Sequence, residues 1–193
     1  MSRILGICGS MQAPSESRTW KVLQIALAGA RRAGATIDVI QLFDLKLPMF
    51  EERMRLAPNT SEVTTLLSMV RGAEGLILAS PVYHGTISGA LKNCVDYFEL
   101  LAQDTPPYMT NKVWGLMSVS GGIASTASLD PLYHSARALN AWVLPLTVSV
   151  SGNAFDQDRQ LVDPQVKKRL FTVGQALTIA TQKLCGGSTV EGN

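Results

Sequence analysis

Cysteine and histidine are scarce in this chain, and their spacing removes whole classes of chemistry. The three cysteines, Cys8, Cys94 and Cys185, lie far apart with no C-x-x-C pair. That excludes a disulfide framework and a thiol-rich metal site, and it predicts a reduced, cytoplasmic protein. The two histidines, His84 and His134, belong to no H-E-x-x-H motif, and the sequence has no carboxylate cluster. Metal-assisted hydrolysis and triad chemistry therefore lack candidates. Charge is sparse as well, at 17% of 193 residues with a formal net charge of +2. The longest basic cluster, Lys167-Lys168-Arg169, lies on a predicted helix and reads as a solvated face, so no nucleic-acid partner is expected. No apolar run approaches eighteen residues, which predicts no membrane span, and no charged n-region and h-region precede the first apolar run at Arg3, which predicts no signal peptide.

The chain does contain a regular alternation of short β-rich runs and longer helical stripes, the pattern of a parallel sheet covered on both faces. Strands are predicted at 3–8, 36–42, 75–79, 113–119 and 143–150, and helices at 18–32, 60–71, 88–101, 125–141 and 163–184. Gly34 stops the first helix, Pro106-Pro107 closes off the third, and Asp163-Pro164 opens the last. The length suits a single domain, 1–193. Five β-α units with right-handed crossovers give an α/β, three-layer, doubly wound five-stranded parallel sheet, for which the order 2-1-3-4-5 is one common solution. Ligands bind such sheets at the carboxyl ends of the strands, so the segments after the first, third and fourth strands are the ones to inspect.

Those three segments hold the unusual residues. The first, 9–19, follows a strand and opens a helix. It carries Ser10, Ser15, Ser17 and Thr19 as hydroxyl donors, Gln12 as an amide and Arg18 as a guanidinium, a set suited to an anion such as a phosphate monoester. Glu16 must face solvent for that reading, and a serine-rich helix cap is the alternative. Neither a P-loop nor a G-x-G-x-x-G fingerprint is present. Cys8 invites a cysteine-phosphatase reading, but position 14, where the arginine would stand, is Pro14.

The second segment begins at Ser80-Pro81, where proline is expected to stop the strand, and continues through Val82, Tyr83, His84 and Gly85. It can line a planar ring, with His84 as a donor or as a plain surface residue. Lys92, Asn93 and Asp96 read as a solvated or subunit-facing helix side. The third segment, Ser120-Gly121-Gly122, lets backbone approach a flat ligand closely. His134 is expected to cap or pack. An anion cradle beside ring-binding segments suits a cofactor that carries the chemistry itself.

On these residues the chain resembles the NADPH-dependent FMN reductase family of flavodoxin-like proteins from Arg3 to about Leu184. Ser80-Pro-Val-Tyr-His-Gly-Thr-Ile-Ser-Gly-Ala-Leu-Lys-Asn-Cys-Val-Asp96 is similar to the family's S-P-x-Y-x-x-x-x-S-G-x-L-K-N-x-x-D segment. Gly9-Ser10 with serines at 15 and 17 resembles its phosphate loop, and Pro48-Met49-Phe50 its second-strand loop. The resemblance implies a flavodoxin-like fold, FMN with its phosphate on the first segment and its isoalloxazine along the other two, and NADPH or NADH as hydride donor. It implies a small-molecule acceptor such as a flavin or quinone, and a homodimer or homotetramer. The family often has arginine two residues after the loop serine, where this chain has Gln12, so the cradle's charge falls to Arg18. The rival readings are a flavodoxin-type electron carrier, which a near-neutral composition disfavours, and a regulatory protein that has lost the cofactor.

Overall fold

The computed structural model describes residues 1–55, 60–122 and 126–186. Its strands are β1 (Arg3–Cys8), β2 (Thr36–Gln41), β3 (Gly75–Tyr83), β4 (Thr86–Ile87), β5 (Val113–Val119), β6 (Trp142–Val143) and β7 (Val148–Val150). The parallel order is β2-β1-β3-β5, with β6 and β7 both pairing along the outer side of β5. The expected fold class therefore stands, while the order differs slightly: the strand count is seven, β4 lies off the parallel path, and the predicted fifth strand, 143–150, is in two pieces. Leu144 N–H still reaches Trp114 O at 2.8 Å, but Pro145 has no N–H to give, and the ladder resumes only at Val148. The other added strand, β4, folds back antiparallel on the end of β3.

Side chains alternate across the sheet as the pleat requires. Ile4, Ile77 and Met117 face α1 (Arg18–Arg32) and α6 (Pro164–Gly186), while Leu5, Ile7, Leu78 and Leu116 face the other layer, which contains α3 (Ser61–Gly72), α4 (Gly89–Asp96) and α5 (Leu129–Ala138). A one-turn helix, α2 (Leu42–Leu45), follows β2. Each fully buried aliphatic side chain contributes about 1.5–3 kcal/mol. The two helices of the first layer cross in close contact: a Cβ on Gly174 would stand 1.8 Å from Ala26 O.

Helix starts follow their caps. Ser17, Thr60 and Ser88 accept from the N–H groups of Trp20, Val63 and Leu91. Asp163 Oδ1 accepts from Gln165 and Val166 at 2.8 and 3.0 Å, with Pro164 as the first helical residue. Two helices are shorter than expected. α4 tightens into a 3₁₀ segment at Tyr97–Leu101. α5 ends at Ala138, because the chain reverses through Asn140 at φ 62° and Ala141 N–H bonds Ala136 O; its expected start at Ser125 lies outside the described residues. Among the described residues, no helix is long and apolar enough to cross a membrane.

Candidate cofactor site

Register brings the three segments to one edge. Cys8 stands beside Ala79, and Ser80 and Pro81 stand beside Ser118 and Val119. The chain moves outward in opposite directions from the β1/β3 pair, so the first two segments flank a topological switch point.

The first segment is fastened at its base. Gly9 N–H donates to Ala79 O at 2.8 Å, and Gly9 O accepts from Ser88 Oγ at 2.6 Å. A Cβ on Gly9 would meet Leu91 Cβ at 2.8 Å. Ser10 is buried, and its Oγ accepts from Gln12 N–H at 3.2 Å. Glu16 and Ser17 N–H both turn back to Ala13 O. Ser17 is buried and caps α1, so the capping alternative holds for this serine; a hydroxyl that accepts one bond still has its own proton to donate. Thr19 is buried, and Gln12, Ser15 and Glu16 are exposed, the last as the anion reading requires. As the first two residues of α1, Arg18 and Thr19 present N–H groups with no intrahelical acceptor. The Arg18 guanidinium lies over the Phe155 ring, 5.2 Å from its centroid, and its buried Nε has no hydrogen-bond partner. Cys8 offers no thiolate here. Burial pushes its thiol up to about 11, against smaller opposing effects from the Ser10 backbone and the Ser17 hydroxyl.

The second segment is a hairpin. Contrary to expectation, β3 runs through Pro81 to Tyr83 and pairs with β4, Val82 with Ile87 and Tyr83 with Thr86. Backbone groups two residues apart point the same way along a strand, so the Pro81 nitrogen faces the side where Ala79 O meets Gly9. There β1 has already ended, and the missing N–H costs no ladder bond. The two turn residues, His84 and Gly85, have φ of 50° and 80°, as a type I′ turn requires. Tyr83, His84 and Gly85 are exposed at the rim and Val82 is half-buried. Ser80 Oγ accepts from Ser88 N–H at 3.1 Å and closes the base of the hairpin.

In the third segment, Ser120 N–H donates to Val150 O at 2.9 Å and Ser120 Oγ to Gly122 O at 2.6 Å. Gly121 and Gly122 are exposed, and among the described residues nothing lies within 4 Å of where a side chain would stand.

Two contributions escape the sequence reading. Asn93 is no solvated side chain: its Nδ2 donates to Pro48 O and its Oδ1 accepts from Phe50 N–H, both at 2.8 Å, so it clamps the segment after α2. The segment after β7 also reaches the site. A Cβ on Gly152 would lie 2.3 Å from Gly121 O, Phe155 underlies Arg18, and Arg159 Nη1 donates to Glu16 O at 3.3 Å. Applying the strand-end rule to the fifth strand as well would have found it. His134 neither caps nor packs in the core; it is exposed on α5 beside Tyr133.

Residues 2–156 match the family described as NADPH-dependent FMN reductase. This chain belongs to that family. The reductase is an FMN-dependent NAD(P)H oxidoreductase, as its resemblance implied. An NAD(P)H-dependent FAD/FMN reductase of Geobacillus thermodenitrificans is 27% identical over 172 residues, covering 87% of each chain. An FMN reductase (NADPH) of Pseudomonas aeruginosa is 30% identical over 172 residues, covering 84% of the reductase and 83% of the relative. Among solved structures, RosB with its bound intermediate 8-demethyl-8-formylriboflavin-5′-phosphate superposes with a TM-score of 0.78 at 18% identity, covering 97% of the reductase and 81% of RosB. At that identity the likeness establishes the shared flavodoxin-like fold.

Proposed function

We propose that the reductase holds FMN at the carboxyl edge of its sheet. The phosphate sits on Ser10, Gln12, Ser15, Ser17, Arg18 and Thr19, and the ring lies along Pro81, Val82, Tyr83, His84 and Gly85 and along Ser120, Gly121 and Gly122. The observation that carries this reading is Arg18: a buried guanidinium nitrogen without a partner, at the start of a helix whose first N–H groups are free. The donor set fits a phosphate, since the segment's one carboxylate, Glu16, is exposed.

When bound, FMN supplies the ring that takes hydride from NAD(P)H and passes electrons on. The protein's own residues place and shield it. Hydroxyls and helix N–H groups bind the anion, Arg18 offsets its charge, and the open backbone at Gly121 and Gly122 admits a flat ring. Tyr83 excludes water at the rim, and His84 assists as a hydrogen-bond donor. No side chain has to move a proton. Tyr83→Ala and His84→Ala are therefore expected to weaken flavin binding or slow turnover by about three- to tenfold, the scale of one lost aromatic or polar contact. Complete loss of turnover with FMN still bound would contradict these roles.

The acceptor is a small molecule, a flavin, quinone or similar oxidant; the names of the relatives support a flavin. A homodimer or homotetramer is supported by the sparse charge and by a cleft of about 390 Å³ between α4 and α5, where Phe50, Val95 and Leu139 lie beside Lys92, Asp96 and Glu99. The wide cysteine spacing supports a cytoplasmic setting. The deciding experiment is stopped-flow reduction of the FMN-loaded protein by NADPH and by NADH, followed by reoxidation with flavin, quinone and azo-dye acceptors. Bound FMN that neither NADPH nor NADH reduces would point to a carrier instead.

A further inference from the structure

The segment after β7 has no place in the phosphate cradle as the sequence presents it, yet it touches that cradle at two points and the helix that follows it at a third. Phe155 lies under Arg18, Arg159 bonds the Glu16 carbonyl, and Lys21 Nζ returns from α1 to the carbonyls of Asp158 and Arg159 at 3.4 and 3.1 Å. Phe155 itself is held firmly. It is 8% exposed, packs into the core layer of α1 and α6, and pairs across the segment with Leu161. Within 9–19, Arg18 is the only cation, because Gln12 is neutral. Among the described residues Arg18 forms no ion pair, and the contact that fixes its guanidinium is the face of the Phe155 ring. An aromatic face attracts a cation without neutralising it or occupying its N–H donors. A carboxylate in the same place would hold Arg18 equally well but would cancel the charge that an anionic ligand needs.

We propose that Phe155 is a positioning residue for ligand charge. It holds the Arg18 guanidinium, whose Nε is buried, free of a counter-ion at the 9–19 segment, and so sets the preference for phosphorylated over unphosphorylated flavin. The proposal rests on the assignment of FMN's phosphate to that segment. It assigns a specificity role to an element outside the three segments that follow β1, β3 and β5.

The test is equilibrium titration of the full-length, flavin-free protein with FMN and with riboflavin, read by flavin fluorescence, for the wild type and for Phe155→Leu, Phe155→Met, Phe155→Tyr and Arg18→Gln. Wild type should bind FMN more tightly than riboflavin. Phe155→Leu and Phe155→Met should each reduce that ratio by about three- to tenfold with riboflavin affinity unchanged, Phe155→Tyr should restore it, and Arg18→Gln should reduce it at least as far. In an Arg18→Gln background, Phe155→Leu should change the ratio no further, since both act through one contact. If Phe155→Leu does not fold, the Phe155→Met ratio decides. Equal weakening of both flavins, or no change in either, would overturn the proposal by making Phe155 a packing residue alone. A wild type that binds both flavins equally would overturn the phosphate assignment, and one that binds neither would overturn the FMN site.

Discussion

Gly9 and Asn93 show how much of this site is held by single residues whose work is mechanical. At Gly9 there is no space for a methyl group between Leu91 Cβ and Ala79 O. Gly9→Ala is expected to cost about 1–3 kcal/mol by forcing the first segment away from α4, and chemical denaturation should show it together with weaker FMN binding. Asn93 holds Pro48 and Phe50 from α4, 45 and 43 residues away in sequence. Asn93→Leu leaves the Phe50 N–H unpaired and the Pro48 carbonyl with Tyr97 OH alone, for about 1–3 kcal/mol of lost stability in the same assay. The two residues differ in legibility. The glycine sits where strand meets anion loop, and local pattern is enough to flag it. Asn93 sits at a helix position that looks polar and solvated, and only the return of 48–50 across it gives its amide two partners. Ser17 is a third case: its oxygen caps the helix, which was the alternative to a phosphate contact, and capping leaves a hydroxyl its own proton to donate.

At the scale of elements, strand and helix positions were readable because each has its own apolar period, while irregular segments had none to read. By sequence the hairpin at Tyr83–Thr86 reads as a loop, because Pro81 carries a stop signal. That signal has no force where the neighbouring strand has already ended. The turn depends on left-handed backbone at both positions, so Gly85→Ala should cost about 1–2 kcal/mol. It should also loosen Tyr83 at the rim, measurable as faster hydrogen exchange at the Val82–Ile87 pairing. The segment holding Phe155 was invisible for a different reason. Phe155 and Leu161 meet each other across an irregular stretch, so their burial leaves no periodic trace. Between α1 and α6 the constraint is the distance of approach. Gly174→Val should drive the helices apart and leave little folded protein, whereas Gln175→Ala on the same helix, half-buried and without a side-chain hydrogen bond among the described residues, should be nearly neutral.

For the molecule as a whole, the doubly wound architecture followed from sequence through handedness and alternation, which depend on chain chirality and not on side-chain detail, while the strand order was one of the common solutions they allow. Stability at alkaline pH was not readable, since it depends on how deeply two thiols are buried. The folded protein raises the Cys8 thiol from 9.0 to about 11, and burial raises Cys94 in the same direction. The unfolded chain therefore loses these protons first. The stabilisation they confer is complete below about pH 9 and declines as pH rises from there through about 11. Cys8→Ala should flatten that decline by about 3 kcal/mol at most, as seen in urea unfolding midpoints across the same range, and a steeper decline in the variant would contradict the assignment.

The broken fifth strand has a consequence away from the flavin. β6 and β7 form the sheet's outer border in pieces of two and three residues, with Pro145 between them. A foreign strand needs a continuous row of free backbone groups to dock on, and this border offers none of useful length. The proline that interrupts the ladder thus guards this border against edge-to-edge pairing, whereas the opposite border, β2, is a continuous strand of six residues.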